Sequence, residues 1–311
     1  MASYVIKNID EAAKKTRELL LPFDLTTWSK LALIVLLTGG IGFSFPGVPG
    51  FGSDYDKDHE MQDMEGTHGM ESSVFENRSN MTGAFTASSL LMIGISIAVG
   101  IGLLVLFISS VFEFIYYRSL IDEEVNIREN FTDNLNNGAR YFNFRVLYGL
   151  GNLLLFGAGI GFFFLNPLLL LPMILALLPL ALALYAVNTL IHDFVLLEML
   201  QQDQNFIDAA REIYGHVKDN LRNTALYLVV RLAITLLATT AIGTGTFLIL
   251  MVFAVPMLFL GIVFYMISEL LLIPLVFFGI LLIVLTTLFV TVPMKTFIYY
   301  YAITVYGEFS E

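Results

Sequence analysis

The sequence lacks cysteine and is poor in charge, and each shortage excludes a class of protein. Its 311 residues contain no Cys, which excludes disulfides, thiolate zinc sites, iron–sulfur clusters and cysteine nucleophiles. Only 14% of the residues are charged, against roughly 25% in soluble domains. Lys and Arg number 16 against 27 Asp and Glu, so we expect no basic face for nucleic acid.

Apolar residues take the place of the missing charge. They make up 57% of the chain, and the mean hydropathy is +0.77. A soluble fold of this length cannot bury so much apolar surface. The composition therefore predicts an all-α integral membrane protein, with residues 1–311 forming a single transmembrane domain in the cell membrane.

Uncharged runs long enough to approach or exceed one bilayer crossing recur along the chain. They cover residues 31–43, 87–112, 146–191 and 232–293, the last interrupted only by Glu269. Asn166-Pro167 should divide the third run into two spans, because Asn and Pro mark a turn. The fourth run predicts two long helices, with a bend or re-entrant piece at 256–269. Together they predict about six transmembrane helices.

The distribution of basic residues predicts the orientation. Most of the Lys and Arg lie before the first span, between the second and third spans, and after the fourth. The positive-inside rule then places the N- and C-termini in the cytoplasm. Residues 44–86, which are rich in Asp and Glu, form an extracytoplasmic acidic loop in this prediction.

Two segments of the sequence resemble each other. Residues 133–145 read DNLNNGARYFNFR and residues 219–231 read DNLRNTALYLVVR, each just before an apolar span. Phe-Ile-Tyr-Tyr also ends both the second span and the last. We expect three repeats, each an interfacial amphipathic helix followed by a helical hairpin. The interfacial helices are predicted at residues 6–21, 118–141 and 198–223.

Several short motifs carry a family resemblance. They are Leu21-Pro22-Phe23-Asp24 with Trp28, the RYFNFR run of 140–145, His192-Asp193-Phe194-Val195, and Val292-Pro293 with Tyr299-Tyr300-Tyr301. The chain resembles a family of haloarchaeal multi-pass membrane proteins with no assigned activity, and the acidic loop fits a halophilic archaeal source. It is more distantly similar to the membrane domain attached to some glycerophosphodiester phosphodiesterases. The resemblance implies the fold and no catalytic residue.

The acidic loop contains the spacing of a calcium-binding loop. Carboxylates occupy the ligand positions of such a loop, namely Asp54, Asp56, Asp58, Glu60 and Glu65. His59, however, stands where the turn favours Gly. Nearby His and Met residues instead resemble copper(I) ligands, and a solvated loop without metal is the third alternative. No other cofactor is predicted.

Four charged residues at membrane depth are the main site candidates. Glu113 and Asp193 end the second and fourth spans, and Arg145 and Arg231 begin the third and fifth. The hypotheses are acid–arginine ion pairs across neighbouring helices, a lipid-headgroup site, or side chains that reach the cytoplasmic interface.

The sequence predicts no enzyme, since it contains no recognised catalytic motif. We expect a non-catalytic integral membrane protein that handles lipid or organises the membrane. Its expected partners are membrane lipids and another membrane protein of a complex, not nucleic acid. The alternative is a transporter of an apolar or amphipathic solute along the repeat interface. A lipid-modifying enzyme is the third hypothesis.

Overall fold

The computed structural model describes the backbone of residues 4–39, 73–165 and 170–309. These ranges are helical apart from short connections, and they contain no strand. The helices are α1 Tyr4–Leu20, α2 Leu25–Leu37, α3 Ser73–Ile121, α4 Ile127–Leu165, α5 Leu170–Leu190, α6 Leu196–Gln202, α7 Phe206–Asp219, α8 Leu221–Ile267 and α9 Leu272–Phe309. A π-helical turn, Ile191–Val195, joins α5 to α6.

The prediction of an all-helical fold is confirmed for the described residues, and four of their helical segments are long and apolar enough to cross a membrane. They are Met92–Ile121, Leu178–Gln202, Leu221–Ile267 and Glu269–Phe309. The expected first span is represented by α2, whose 13 residues measure about 20 Å. That length is short of a bilayer core.

The chain divides into two compact units. One comprises Met1–Gly47 and Phe107–Glu311, and the other Val48–Leu106. Within the second unit the described backbone is the helix that begins at Ser73. Its apolar side chains between Met92 and Val105 are exposed.

Helix α1 forms where the amphipathic pattern predicted it, within two residues at either end. Val5, Ala12 and Leu20 are buried on its inner face. The hydroxyl of Tyr301 donates to the carbonyl of Val5 at 3.2 Å, and the Asn8 amide donates to the carbonyl of Thr304 at 3.2 Å. Helix α1 is therefore fixed against α9, at the other end of the sequence.

The boundaries of the predicted connections differ from those observed. Residues 73–86 were expected in the acidic loop, but they are the first turns of α3. The predicted interfacial helices at 118–141 and 198–223 are each interrupted, at Glu123 and Asp203, which adopt left-handed φ of 55° and 51°. Beyond the first interruption, α4 continues directly into the expected third span, because its sequence has no Gly-Pro or Asn-Pro break before 166. The turn predicted at Asn166-Pro167 lies outside the described residues.

The last apolar run forms two long helices, as predicted, but without a re-entrant piece. Helix α8 continues through Pro256 to Ile267, since membrane helices tolerate a proline whose freed carbonyl finds another partner. The chain then reverses at Ser268, which is extended (φ −167°, ψ 131°) and whose hydroxyl accepts from the amide of Leu270 at 3.3 Å.

The core of the first unit contains many aromatic residues. Tyr116, Tyr117, Tyr227, Tyr301 and Tyr306 are among its largest fully buried side chains. They come from the C-terminal part of α3, the N-terminal part of α8 and the C-terminal part of α9. The remaining stretches of α8 and α9 carry exposed apolar side chains, as surface in contact with lipid would.

Candidate functional site

Of the four charged site candidates, Asp193 has the most complete set of hydrogen bonds. It lies in the π-helical turn, a deformation that is frequent at functional sites, and it is fully buried. Its carboxylate accepts from Arg231 Nε at 2.6 Å and Arg231 Nη2 at 3.0 Å. The hydroxyl of Tyr227 donates to the same carboxylate at 2.6 Å. The pairing is bidentate, the strongest geometry for arginine and carboxylate.

Glu113 and Arg145 also meet, but less closely. Arg145 Nη1 lies 3.6 Å from Glu113 Oε1 and donates to the hydroxyl of Ser109 at 3.1 Å. The Arg145 guanidinium lies over the ring of Tyr141, 5.5 Å from its centre. Glu113 Oε2 is buried and has no hydrogen-bond partner in the described part of the chain.

His192 connects the two pairs. Its Nδ1 lies 2.9 Å from Asp193 Oδ1 and its Nε2 lies 3.5 Å from Glu113 Oε1. Tyr117 donates to the backbone carbonyl of His192 at 3.0 Å, and the hydroxyl of Tyr299 lies 3.3 Å from Nε2. We call the continuous chain Arg145–Glu113–His192–Asp193–Arg231 the charge network.

The charge network is electrically balanced by its own members. Two guanidinium groups face two carboxylates, so the network is neutral when His192 is neutral. In a low-dielectric interior an unpaired charge is very costly, whereas a charge that is paired and hydrogen-bonded is tolerated. The arrangement can therefore tie α3, α4, α8 and the π turn together, and His192 can hold a proton between two carboxylates.

Two participants in this region were missed by reasoning from sequence. His192 is not among the four charged residues that the sequence singles out, although its position beside Asp193 was a usable signal. Glu198 in α6 is only 1% exposed and accepts a hydrogen bond from the hydroxyl of Tyr306. Nothing local in the sequence indicated that the C-terminal end of α9 would cover it.

The predicted calcium ligands lie in a segment that the structure does not describe. Asp54, Asp56, Asp58, Glu60 and Glu65 all fall in 40–72, outside the described residues. Across the ranges 4–39, 73–165 and 170–309, no group of three or more His, Cys, Asp or Glu side chains is arranged to hold a metal ion.

Comparison with known proteins matches the chain to a family. A family described as "Family of unknown function (DUF7544)" matches residues 3–311, nearly the whole chain. No curated protein and no solved structure matches.

Proposed function

We propose a role for this chain, which belongs to the family of unknown function DUF7544, as a non-catalytic integral membrane protein that handles lipid or organises the membrane. One observation carries the proposal: Glu113, Asp193 and Arg231 are 5%, 0% and 8% exposed and their charges are met inside the protein. Charges engaged in this way are poorly placed to act on a substrate. With these charges engaged, the surface that remains available for a function belongs to the apolar spans and the amphipathic helices.

The amphipathic helices α1 and α7 offer a second surface that can contact lipid. Helix α1 leaves Ile6 exposed beside the exposed Lys7, and α7 leaves Ile207 and Tyr214 exposed. Apolar side chains that the protein does not cover, next to charged ones, allow a helix to lie in the membrane interface and respond to lipid composition. A lipid-handling role uses these helices without needing a reaction centre.

We extend the proposal to six crossings built from three repeats, with both termini in the cytoplasm. The left-handed residues support the repeat, because Glu123 follows Glu113 and Asp203 follows Asp193 at the same spacing. The acid that ends each unit also meets the arginine that begins the next. The haloarchaeal source, the likeness to phosphodiesterase membrane domains and a protein partner stay predictions from the sequence.

Lipid retention tests the proposed role. The protein, purified in mild detergent, should carry bound lipid detectable by native mass spectrometry. Delipidation should lower its melting temperature, and added lipid should restore it. A protein that retains no lipid and melts unchanged after delipidation would contradict a lipid-handling role.

Transport is the second candidate function, and one observation favours it. His192 lies in the π-helical turn and contacts both acids, so a change in its protonation or contacts could reach three helices. If the protein is a transporter, reconstituted vesicles should take up an amphipathic solute, and His192→Gln, which keeps hydrogen-bonding groups but cannot be protonated, should abolish uptake. The lipid-handling role predicts no uptake above that of empty vesicles.

A further inference from the structure

We propose that a groove between α1, α2 and α9 binds one anionic phospholipid, with the phosphate at Arg17 and an acyl chain along Trp28. The inference rests on the proposed lipid-handling role and assigns it a site. The groove is open to its surroundings, has a volume of about 380 Å³ and is lined mainly by Ala13, Thr16, Arg17, Leu20, Trp28 and Phe297. Its volume is within the range of sites for small ligands.

Apart from the Arg17 guanidinium, the polar side-chain atoms of the groove wall are satisfied by protein. The Thr16 hydroxyl donates to the carbonyl of Ala12 at 2.7 Å. The Trp28 indole N–H donates to the carbonyl of Leu20 at 3.2 Å. Its ring contacts those of Phe23 and Phe289, whose centres lie 5.0 and 5.4 Å away. What the wall offers a ligand is therefore apolar surface, which suits a hydrocarbon chain.

Arg17 supplies the charge complementarity. On α1, Lys14 pairs with Glu18 and Lys15 with Glu11. The exposed Arg17 makes no ion pair in the described part of the chain. A guanidinium presents its N–H groups in a planar fork that matches two phosphate oxygens. A free guanidinium beside an apolar groove fits an anionic phosphate joined to a hydrocarbon chain.

The groove continues onto the surface of a spanning helix. Phe289, which stacks on Trp28, is 57% exposed on α9. Tryptophan is enriched at membrane interfaces, where headgroups meet hydrocarbon. A lipid at this position can keep its headgroup at Arg17 while its chain follows the exposed side of α9, so we assign the groove to a membrane lipid and not to a soluble anion.

The single tryptophan of the chain reports directly on this groove. In nanodiscs, a phospholipid with brominated acyl chains and an anionic headgroup should quench Trp28 fluorescence and saturate at a small mole fraction. Arg17→Gln should raise the half-saturating fraction about tenfold, because it removes a hydrogen bond to a charged group. Lys7→Gln, an exposed cation on the same helix that makes no ion pair in the described residues, is the matched control and should behave like wild type.

Two further measurements in the same quenching experiment identify the ligand. A brominated lipid with the same chains and a zwitterionic headgroup should quench weakly and without dependence on Arg17. Ala13→Phe, which fills the groove, should abolish the saturable quenching. Linear quenching that is the same for both lipids and all variants would overturn the site. It would leave lipid retention by the whole protein standing, so the failures of the two proposals are distinguishable.

Discussion

The two acid–arginine pairs occupy matching places in the sequence but differ in geometry. Arg231 donates two hydrogen bonds of 2.6 and 3.0 Å to Asp193, and the hydroxyl of Tyr227 donates a third. Arg145 approaches one oxygen of Glu113 at 3.6 Å and gives a hydrogen bond to Ser109 instead. The Arg231 side chain is 9% exposed and that of Arg145 17%.

The difference teaches that a repeated motif fixes which residues meet and not how strongly they bind. Asp193 has a shorter side chain than Glu113, but the π-helical turn carries it within reach of both Nε and Nη2 of Arg231. Glu113 lies in regular α-helix and leaves Oε2 without a partner in the described structure. The Asp193–Arg231 pair is therefore the stronger structural contact, whereas the Glu113–Arg145 pair leaves one carboxylate oxygen unused.

The largest expected effect comes from breaking the tight pair. Arg231→Ala strands the fully buried Asp193 carboxylate, and breaking a buried pair costs about 3–5 kcal/mol of unfolding free energy. The melting temperature in detergent should fall sharply, and Asp193→Ala combined with Arg231→Ala should recover part of the loss. Arg222→Ala, an exposed arginine on the same helix, is the control. Equal melting of all variants would mean that the pair is not structural.

Breaking the loose pair should cost less. Arg145→Ala removes one long ionic contact and one hydrogen bond to Ser109, worth about 1.5–3 kcal/mol. Its melting temperature should lie between those of wild type and Arg231→Ala. If Arg145→Ala proves the more damaging variant, the ranking of the two pairs by geometry is wrong.

Close packing beside the loose pair gives a third prediction. A Cβ added at Gly138 of α4 would lie 2.5 Å from Val111 Cγ2 and 2.8 Å from Val111 Cα of α3. Gly138→Ala should therefore destabilise by about 1–3 kcal/mol through overpacking. Gly149→Ala on the same helix meets no atom within 4 Å and should be neutral or slightly stabilising. Similar melting of the two variants would show that α3 and α4 separate easily here.

The smallest effect is expected from Asp24, an exposed acid with which the two buried acids, Glu113 and Asp193, can be compared. It caps α2, and hydrogen bonds from the hydroxyl and amide of Thr27 hold the pKa of Asp24 below its usual range. Because the folded-state pKa is depressed, the cap stabilises above the unfolded pKa of about 4. That stability is lost as pH falls through the folded pKa. Asp24→Asn should flatten the decline of melting temperature below pH 4, and an unchanged decline would argue against an ionised cap.

The sequence predicted the elements whose signals are local. The amphipathic period located α1, and the long apolar run located α8 and α9. Charge at membrane depth singled out Glu113, Asp193, Arg145 and Arg231, and ion pairing across neighbouring helices was one of three hypotheses that the sequence left open. The sequence could not predict the π turn, because inserting one extra residue into an apolar helix does not change its hydropathy pattern. The contact of Tyr301 with Val5 and the groove at Trp28 depend on residues nearly 300 positions apart, which no local pattern records.

The most direct test of the claim that the charge network serves the fold and not a ligand is an apolar replacement. Asp193→Leu, Tyr227→Phe and Arg231→Met together remove the tight pair and its hydrogen-bonding partner without stranding a charge there, a change that is often neutral or stabilising for buried pairs. We predict a monodisperse protein that melts near wild type, retains its lipid and shows the same saturable quenching of Trp28. A variant that melts normally but has lost its bound lipid would contradict the account.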